Sequence, residues 1–159
     1  MWVGVLSDSH GDVGQAERAV KAMGAVDLVI HAGDFYSDAL YLADQFGIEV
    51  KAVTGNCDRC VPGPHEELLE LEGHRIYLTH GHFYGVKLGL MRLADRVREV
   101  GAEMAIFGHT HMFRYEEVDG IRYLNPGSVA WPRIPGQFTY AIMKLEPGIP
   151  ITVEQFTLT

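Results

Sequence analysis

An α/β fold, arranged as a two-layer sandwich of mixed β-sheets flanked by helices, is what three features of this 159-residue chain predict. Short apolar runs rich in Val, Ile and Leu recur at 3–6, 28–32, 48–54, 76–79 and 104–107, and read as strands buried on both faces. Between the first three runs lie segments with apolar residues at helical spacing, the pattern of a parallel sheet with right-handed crossovers. The second half instead offers runs paired across turn signals, so antiparallel pairing is expected to dominate there.

Each element has a local reason. Asp12 stands where it can cap a helix whose apolar face is Ala16, Ala19, Val20 and Met23, with Gly24 as its stop. Ser37 is placed to cap a second helix carrying Leu40, Leu42, Ala43 and Phe46, closed by Gly47. Segments 66–72 and 74–80 flank Gly73 as an antiparallel pair, and a third helix aligns Val86, Leu90, Leu93, Val97 and Val100 ahead of Gly101. Segments 112–118 and 121–124 straddle Asp119-Gly120, a favoured hairpin turn, and 137–145 and 151–158 supply two more strands. No repeat, low-complexity tract or linker interrupts the chain, so residues 1–159 form a single domain.

The chemistry sits where the runs stop. Their C-terminal ends carry Asp8-Ser9-His10, Gly33-Asp34, Gly55-Asn56, His80-Gly81-His82 and Gly108-His109-Thr110-His111. Ligands of open α/β sheets bind at that edge because its loops converge on one crevice, so five separate segments are expected to build one site. Carboxylates and imidazoles without thiolate suit Mn²⁺, Fe, Zn²⁺, Ni²⁺ or Co²⁺, whereas oxygen alone would suit Mg²⁺ or Ca²⁺. Asp8 and His10, two apart on an extended turn, should point to one side, and so should His109 and His111. Seven ligands (Asp8, His10, Asp34, Asn56, His80, His109 and His111) exceed what one ion takes, while two ions about 3.5 to 4 Å apart would use them all. Asp34 is the natural bridge between them.

Blander readings exist for each piece. A lone Asp-x-His or Gly-Asp after a strand is weak, because Asp favours turns for local reasons; the ordered series carries the argument. His31 reads as a buried group behind the site, and His65 and His74 as solvated residues of loop and turn. His82 could replace His80 as a ligand or approach the substrate; His80 is favoured because it ends its strand directly. Cys57 and Cys60 have C-x-x-C spacing, but two thiols fall short of a structural zinc site and 57–64 reads as loop, so they are taken as incidental thiols.

Composition bounds the rest. Hydrophobic residues make up 47% and charged residues 21% of the chain, within the globular range. A net charge of -8 and a pI near 5.4 oppose bulk nucleic-acid binding. Without a long apolar stretch, and with a start lacking a signal peptide's charged region and cleavage site, the expectation is a soluble cytoplasmic protein that does not engage membranes.

The ordered series from Asp8 to His111 resembles the calcineurin-like metallophosphoesterase superfamily, and the match spans 8–133. Gly55-Asn56-Cys57-Asp58 and Asn125-Pro126-Gly127-Ser128-Val129 resemble its small bacterial and archaeal phosphodiesterases. The resemblance implies two divalent transition-metal ions, Mn first with Ni, Fe, Co and Zn as alternatives. It assigns Asp8, His10 and His111 to one ion, Asn56, His80 and His109 to the other, and Asp34 to both. The implied reaction is hydrolysis of a small phosphodiester by hydroxide bridging the two ions, with Asn56 and the histidine ligands, His10 among them, setting geometry. Many members carry His after the Gly-Asn, where this chain has Cys57; a thiol with pKa about 8.5 replaces an imidazole poorly, so good leaving groups are expected. Cys57 and His82 are the candidates for assisting the leaving group, Arg59 and Arg133 for touching a phosphate, and Phe35, Tyr36, Phe83, Tyr84 and Trp131 for stacking on an aromatic group or covering a core edge. The rivals are a phosphomonoesterase and a non-catalytic scaffold similar to the retromer subunit of this fold, whose metal set is depleted where all seven positions here are competent. A homo-oligomer stays open, and the natural substrate is not legible.

Overall fold

The computed structural model describes residues 1–159. Its strands are β1 (Trp2–Leu6), β2 (Leu28–His31), β3 (Val50–Ala52), β4 (Glu66–Leu71), β5 (His74–Thr79), β6 (Met104–Ile106), β7 (Phe113–Val118), β8 (Ile121–Pro126), β9 (Thr139–Glu146) and β10 (Ile149–Thr157). The helices are α1 (Val13–Met23), α2 (Tyr36–Phe46) and α3 (Met91–Val100), with one 3-10 turn at His82–Tyr84. Two five-stranded sheets result, ordered β10-β9-β1-β2-β3 and β4-β5-β6-β8-β7.

In the first sheet β1, β2 and β3 are parallel, as the β-α-β-α-β reading requires, and β9 and β10 add antiparallel strands at its other side. The second sheet corrects the expectation of antiparallel dominance. Its middle strands β5, β6 and β8 are parallel, and only the outer pairs β4–β5 and β7–β8 are antiparallel. The reason is α3, which carries the chain across one face between β5 and β6 and so returns it in the same direction.

Apolar residues of both sheets meet in a fully buried interior that includes Val3, Val5, Ile30, Ile76, Ile106, Leu124 and Met143. On the outer face of the first sheet, Ala16, Ala19, Val20 and Met23 of α1 and Leu42 of α2 pack against Leu6, Val29 and Tyr140. Leu93 and Val97 of α3 pack on Tyr77, Phe107 and Tyr123 outside the second. Truncating Ile30 or Leu124 to Ala empties space between two rigid layers and costs about 2 to 5 kcal/mol.

Two helix starts differ from the sequence reading. Asp12 does cap α1, accepting from the Gln15 N–H at 3.0 Å. Ser37 caps nothing: α2 begins at Tyr36 after Phe35, and the Tyr36 N–H donates to Asp58 Oδ1 at 2.8 Å. A residue from a distant loop thus satisfies a donor that a local cap would have served. The inward stripe of α2 is Asp38, Ala39 and Leu42, which leaves Leu40 exposed. Val86 lies ahead of α3 rather than within it, buried in the turn that follows the 3-10 segment. No helix is long and apolar enough to cross a membrane.

Candidate metal centre

The segments following β1, β2, β3, β5 and β6 open onto one edge of the sandwich, and they turn there tightly. Asp8, His10, Asp34, His109 and His111 have φ of 54°, 48°, 56°, 72° and 59°. Left-handed backbone at non-glycine residues costs of order 1–3 kcal/mol each and persists only where the surroundings over-determine it. The turns expected to be extended are therefore strained, which corrects the geometry of both Asp-x-His and His-x-His. Hydrogen bonds hold them. The Asp8 N–H donates to the Gly33 carbonyl at 3.0 Å, and Ser128 Oγ donates to the Asp8 carbonyl at 2.8 Å. Asn125 Nδ2 donates to the Gly108 carbonyl and to Thr110 Oγ1, each at 2.9 Å, fixing the Gly-His-Thr-His turn.

Each carboxylate keeps one oxygen satisfied and turns the other inward. Asp8 Oδ2 accepts from Ser7 Oγ at 2.6 Å and the His109 N–H at 3.1 Å. Its Oδ1 is buried without a hydrogen bond, although the Nε2 atoms of His111, His10 and His80 stand 3.1, 3.8 and 3.8 Å away. Asp34 Oδ1 accepts from the Cys57 N–H at 2.9 Å, while its Oδ2 faces His80 Nε2 at 3.3 Å and His10 Nε2 at 3.7 Å. Gly55 makes this approach feasible, since a Cβ there would stand 2.1 Å from Asp34 Oδ1.

The imidazoles are oriented from behind. His80 Nδ1 donates to the Ala32 carbonyl at 2.7 Å, and His111 Nδ1 to the Trp131 carbonyl at 2.6 Å. A carbonyl only accepts, so each Nδ1 carries the proton, and in the neutral ring Nε2 presents a bare lone pair. Those lone pairs face oxygen: His80 Nε2 lies 3.1 Å from Asn56 Oδ1 as well as beside Asp34. His10 Nε2 and His111 Nε2 are 3.2 Å apart, too close for two N–H groups to confront each other. Lone pairs of nitrogen and oxygen converging on an unpartnered buried carboxylate oxygen are reconciled by a cation between them. The donor set therefore fits divalent transition metal.

The same groups perturb one another's titration. Burial pushes Asp8 up, but the His10 and His111 imidazoles beside it and the charge of His80 hold it well below the usual carboxylate range. Asp34 is likewise raised by burial and brought down by His80 to about 2. Burial lowers His80, and Asp34 and Asp8 more than restore it, whereas in His111 the contact with Asp8 dominates and raises it. His109 falls to about 4 through burial and the charges of His80 and Lys87.

Ligand atoms of Asp8, His10, Asp34 and His111 all lie within 4.8 Å of one another. His80, Asn56 and Asp34 gather on the other side, with the His109 ring 5.1 Å from that of His80. His111 thus belongs to the Asp8 cluster, while the His109 ring packs against that of His80. His82 contacts rings rather than carboxylates, lying 5.4 Å from His80 and 4.0 Å from Phe83, and its Nδ1 is buried without a partner. Cys57 and Cys60 are exposed free thiols, and partial burial and the Asp34 charge push Cys57 up to about 11. Trp131, 61% exposed, stacks on His10 at 4.5 Å with parallel planes, and Phe83 is also exposed. Phe35 tilts against His10 at 5.7 Å, whereas Tyr84 hydrogen-bonds Tyr77 and Tyr36 packs beside Gly63. Arg133 lines a cleft with His109 and His111, and Arg59 is simply exposed.

Two supports of the site, and one buried histidine remote from it, escaped the sequence reading. Ser9 Oγ donates to Asp38 Oδ2 at 2.6 Å and accepts from His31 Nε2 at 2.8 Å, while His31 Nδ1 accepts from the Gly33 N–H at 3.1 Å. This buried triad is wired Asp–Ser–His rather than Asp–His–Ser, so it ties two ligand turns together instead of activating a nucleophile. Burial keeps His31 neutral, lowering it to about 4. Asp58 accepts from the Gly55 N–H at 2.8 Å and from Tyr36, fixing the Asn56 loop. His74, expected to be solvated, is buried between Glu103 at 2.5 Å and the Glu146 carbonyl at 2.9 Å.

Residues 1–148 match the family model of the calcineurin-like phosphoesterase superfamily domain. The chain belongs to this superfamily. It is 38% identical to the probable metallophosphoesterase YsnB of Bacillus subtilis over 89% of this chain and 83% of that protein. A phosphodiesterase of Methanocaldococcus jannaschii is 30% identical over 80% of this chain and 83% of its own length. Among solved structures, a conserved protein and predicted phosphoesterase of Streptococcus pneumoniae superposes with a TM-score of 0.84 at 29% identity, covering 98% of this chain and 88% of that one. A Vps29 variant of Entamoeba histolytica, at TM-score 0.76 and 21% identity over the whole of both chains, shares the fold alone. The calcineurin-like assignment accounts for the two mixed sheets and for a metal-type donor set at their common edge.

Proposed function

We propose that this calcineurin-like protein is a phosphodiesterase of small phosphodiesters whose centre holds two divalent transition-metal ions. The observation that carries this is the arrangement at Asp8 and Asp34, each with one oxygen held by hydrogen bonds and the other turned toward imidazole Nε2 atoms that are anchored from behind. Asp8, His10 and His111 would hold one ion, Asn56, His80 and His109 the other, and Asp34 both. When bound, the ions supply Lewis acidity that polarises phosphoryl oxygens and acidifies water.

The chain's own residues do the rest. His80 and His111 keep their Nε2 atoms aimed inward through the Ala32 and Trp131 carbonyls. The Ser9–His31–Asp38 triad and the Asp58 loop hold Asp8, Asp34 and Asn56 in register, so little reorganisation accompanies catalysis. No serine or cysteine is paired with a base in nucleophile geometry: Ser9 is spent on Asp38, and Cys57 is held protonated. Water is therefore the nucleophile. The weak acidity of Cys57 leaves departing oxygens to carry their own charge, favouring good leaving groups.

The test is turnover by metal-reconstituted protein of bis(p-nitrophenyl) phosphate against p-nitrophenyl phosphate. Diester hydrolysis well above monoester hydrolysis is expected; the reverse order identifies a phosphomonoesterase, and absence of both favours a scaffold.

A further inference from the structure

We infer that Lys87 and Arg133 form a second anion subsite beside the metal centre, where a substrate phosphate other than the scissile one is held. The inference rests on the phosphodiesterase reading for what the neighbouring site does. A cleft of about 340 Å³ is walled by Lys87 and Arg133 together with His109, His111 and Trp131. A second cleft of about 380 Å³ adjoins it, sharing Lys87, Thr110 and Arg133 and continuing into an apolar wall of Val86, Phe107, Met112 and Phe113.

Charge and position together distinguish these two residues, since Arg59 and Arg92 also lack an ion pair but line neither cleft. The chain carries -8 overall, and most of its cations are neutralised by neighbours, as in Lys51–Glu49, Arg96–Glu66, Arg122–Glu117 and Lys144–Glu146. Lys87 and Arg133 make no ion pair, and neither cleft has a carboxylate in its wall. In an acidic protein, two free cations facing one carboxylate-free cleft are a place for a mobile anion.

The backbones that carry both cations are anchored beside the ligand-bearing segments, and their side chains are exposed. The Arg133 N–H donates to the His111 carbonyl at 3.1 Å, which fixes the base of its side chain to a ligand turn. Lys87 follows Val86, which is 3% exposed and anchors the segment after His82–Tyr84, and it shares a cleft with His109. Both residues line the cleft that also exposes His109 and His111. The apolar wall beyond suits a planar, weakly polar portion next to the second phosphate. The substrate class is accordingly a nucleotide-like phosphodiester with an additional phosphate. Arg133 could be suspected from the sequence; Lys87 carried no motif.

Isothermal titration tests this on metal-reconstituted protein with adenosine 3′,5′-bisphosphate and adenosine 5′-monophosphate. The bisphosphate should bind about tenfold more tightly, the scale of two partly solvated phosphate contacts. In Lys87→Ala/Arg133→Ala that gap should close to about twofold or less, and Lys87→Arg/Arg133→Lys should keep it. Retained monophosphate binding by the alanine variant shows that it is folded. The inference is overturned by the absence of a gap in the wild type, by its survival in the alanine variant, or by equal weakening of both ligands, which would mean general steering by surface charge. A protein that shows the gap but turns over no diester keeps the subsite and loses the phosphodiesterase reading; diester turnover without the gap does the opposite.

Discussion

Gly55→Ala isolates the role of the second carboxylate. The backbone at Gly55 needs no left-handed φ, so alanine is conformationally tolerable and the effect is one of space. Its Cβ would stand 2.1 Å from Asp34 Oδ1 and 2.7 Å from the Asp34 main-chain nitrogen, the latter unable to swing aside. Restoring ordinary contact requires the carboxylate to move by roughly 1 Å, the misplacement that costs on the order of a hundredfold in rate. The same shift breaks the bond from the Cys57 N–H at 2.9 Å. A hydrogen bond to a charged group is worth about 1.5 to 3 kcal/mol, so Tm should fall by about 4 to 8 °C. Gly14→Ala is the control, because its Cβ meets only Asp12 Oδ1 at 3.5 Å inside α1; activity should hold and stability rise by about 0.5 to 1 kcal/mol. Turnover of bis(p-nitrophenyl) phosphate, metal content and thermal unfolding are measured on both variants. Near-native turnover with undiminished metal in Gly55→Ala would refute the argument that Asp34 is held in place by this approach.

Other perturbations probe separate parts of the account. Cys57→His should flatten the dependence of rate on leaving-group pKa and speed poorer leaving groups; equal slopes in a diester series would exclude this position as the proton source. Cys60→Ser, an exposed thiol outside the ligand set, should keep turnover within about threefold, and loss of a bound zinc would revive a thiolate site. Burial lowers His74, but the Glu146 carbonyl and Glu103 outweigh it and raise its pKa above 6.5. Its stabilisation is thus full below pH 6.5 and lost as pH rises through the higher folded value; His74→Gln should remove that segment of pH dependence from urea midpoints taken between about pH 6 and 8. An unchanged profile in that variant would show that the ion pair with Glu103 contributes nothing.

What the sequence disclosed was set by periodicity and by residues at strand ends. The runs that became β1, β2, β5 and β6 were legible because both their faces are buried, and the polar clusters behind them could only fall at the sheet edge. Interactions between distant segments were not legible. Nothing local says that Asp58 serves the start of α2 in place of Ser37, or that Asp38 turns inward to Ser9. His74 read as a turn residue because its partners, Glu103 and Glu146, come from other strands and loops. The parallel middle of the second sheet was missed because hairpin signals at Gly73 and Asp119-Gly120 mark only its outer pairs. Left-handed backbone at Asp8, His10, Asp34, His109 and His111 has no sequence signature, since aspartate and histidine do not announce strain as glycine does.

The claim that two ions share Asp34 is tested most directly by elemental analysis of reconstituted wild-type protein and Asp34→Asn. A neutral amide bridges two cations badly, so the wild type should carry two ions per chain and the variant one or fewer, with diester turnover abolished. Two ions retained by Asp34→Asn, together with near-native turnover, would contradict the bridging assignment and the centre built around it.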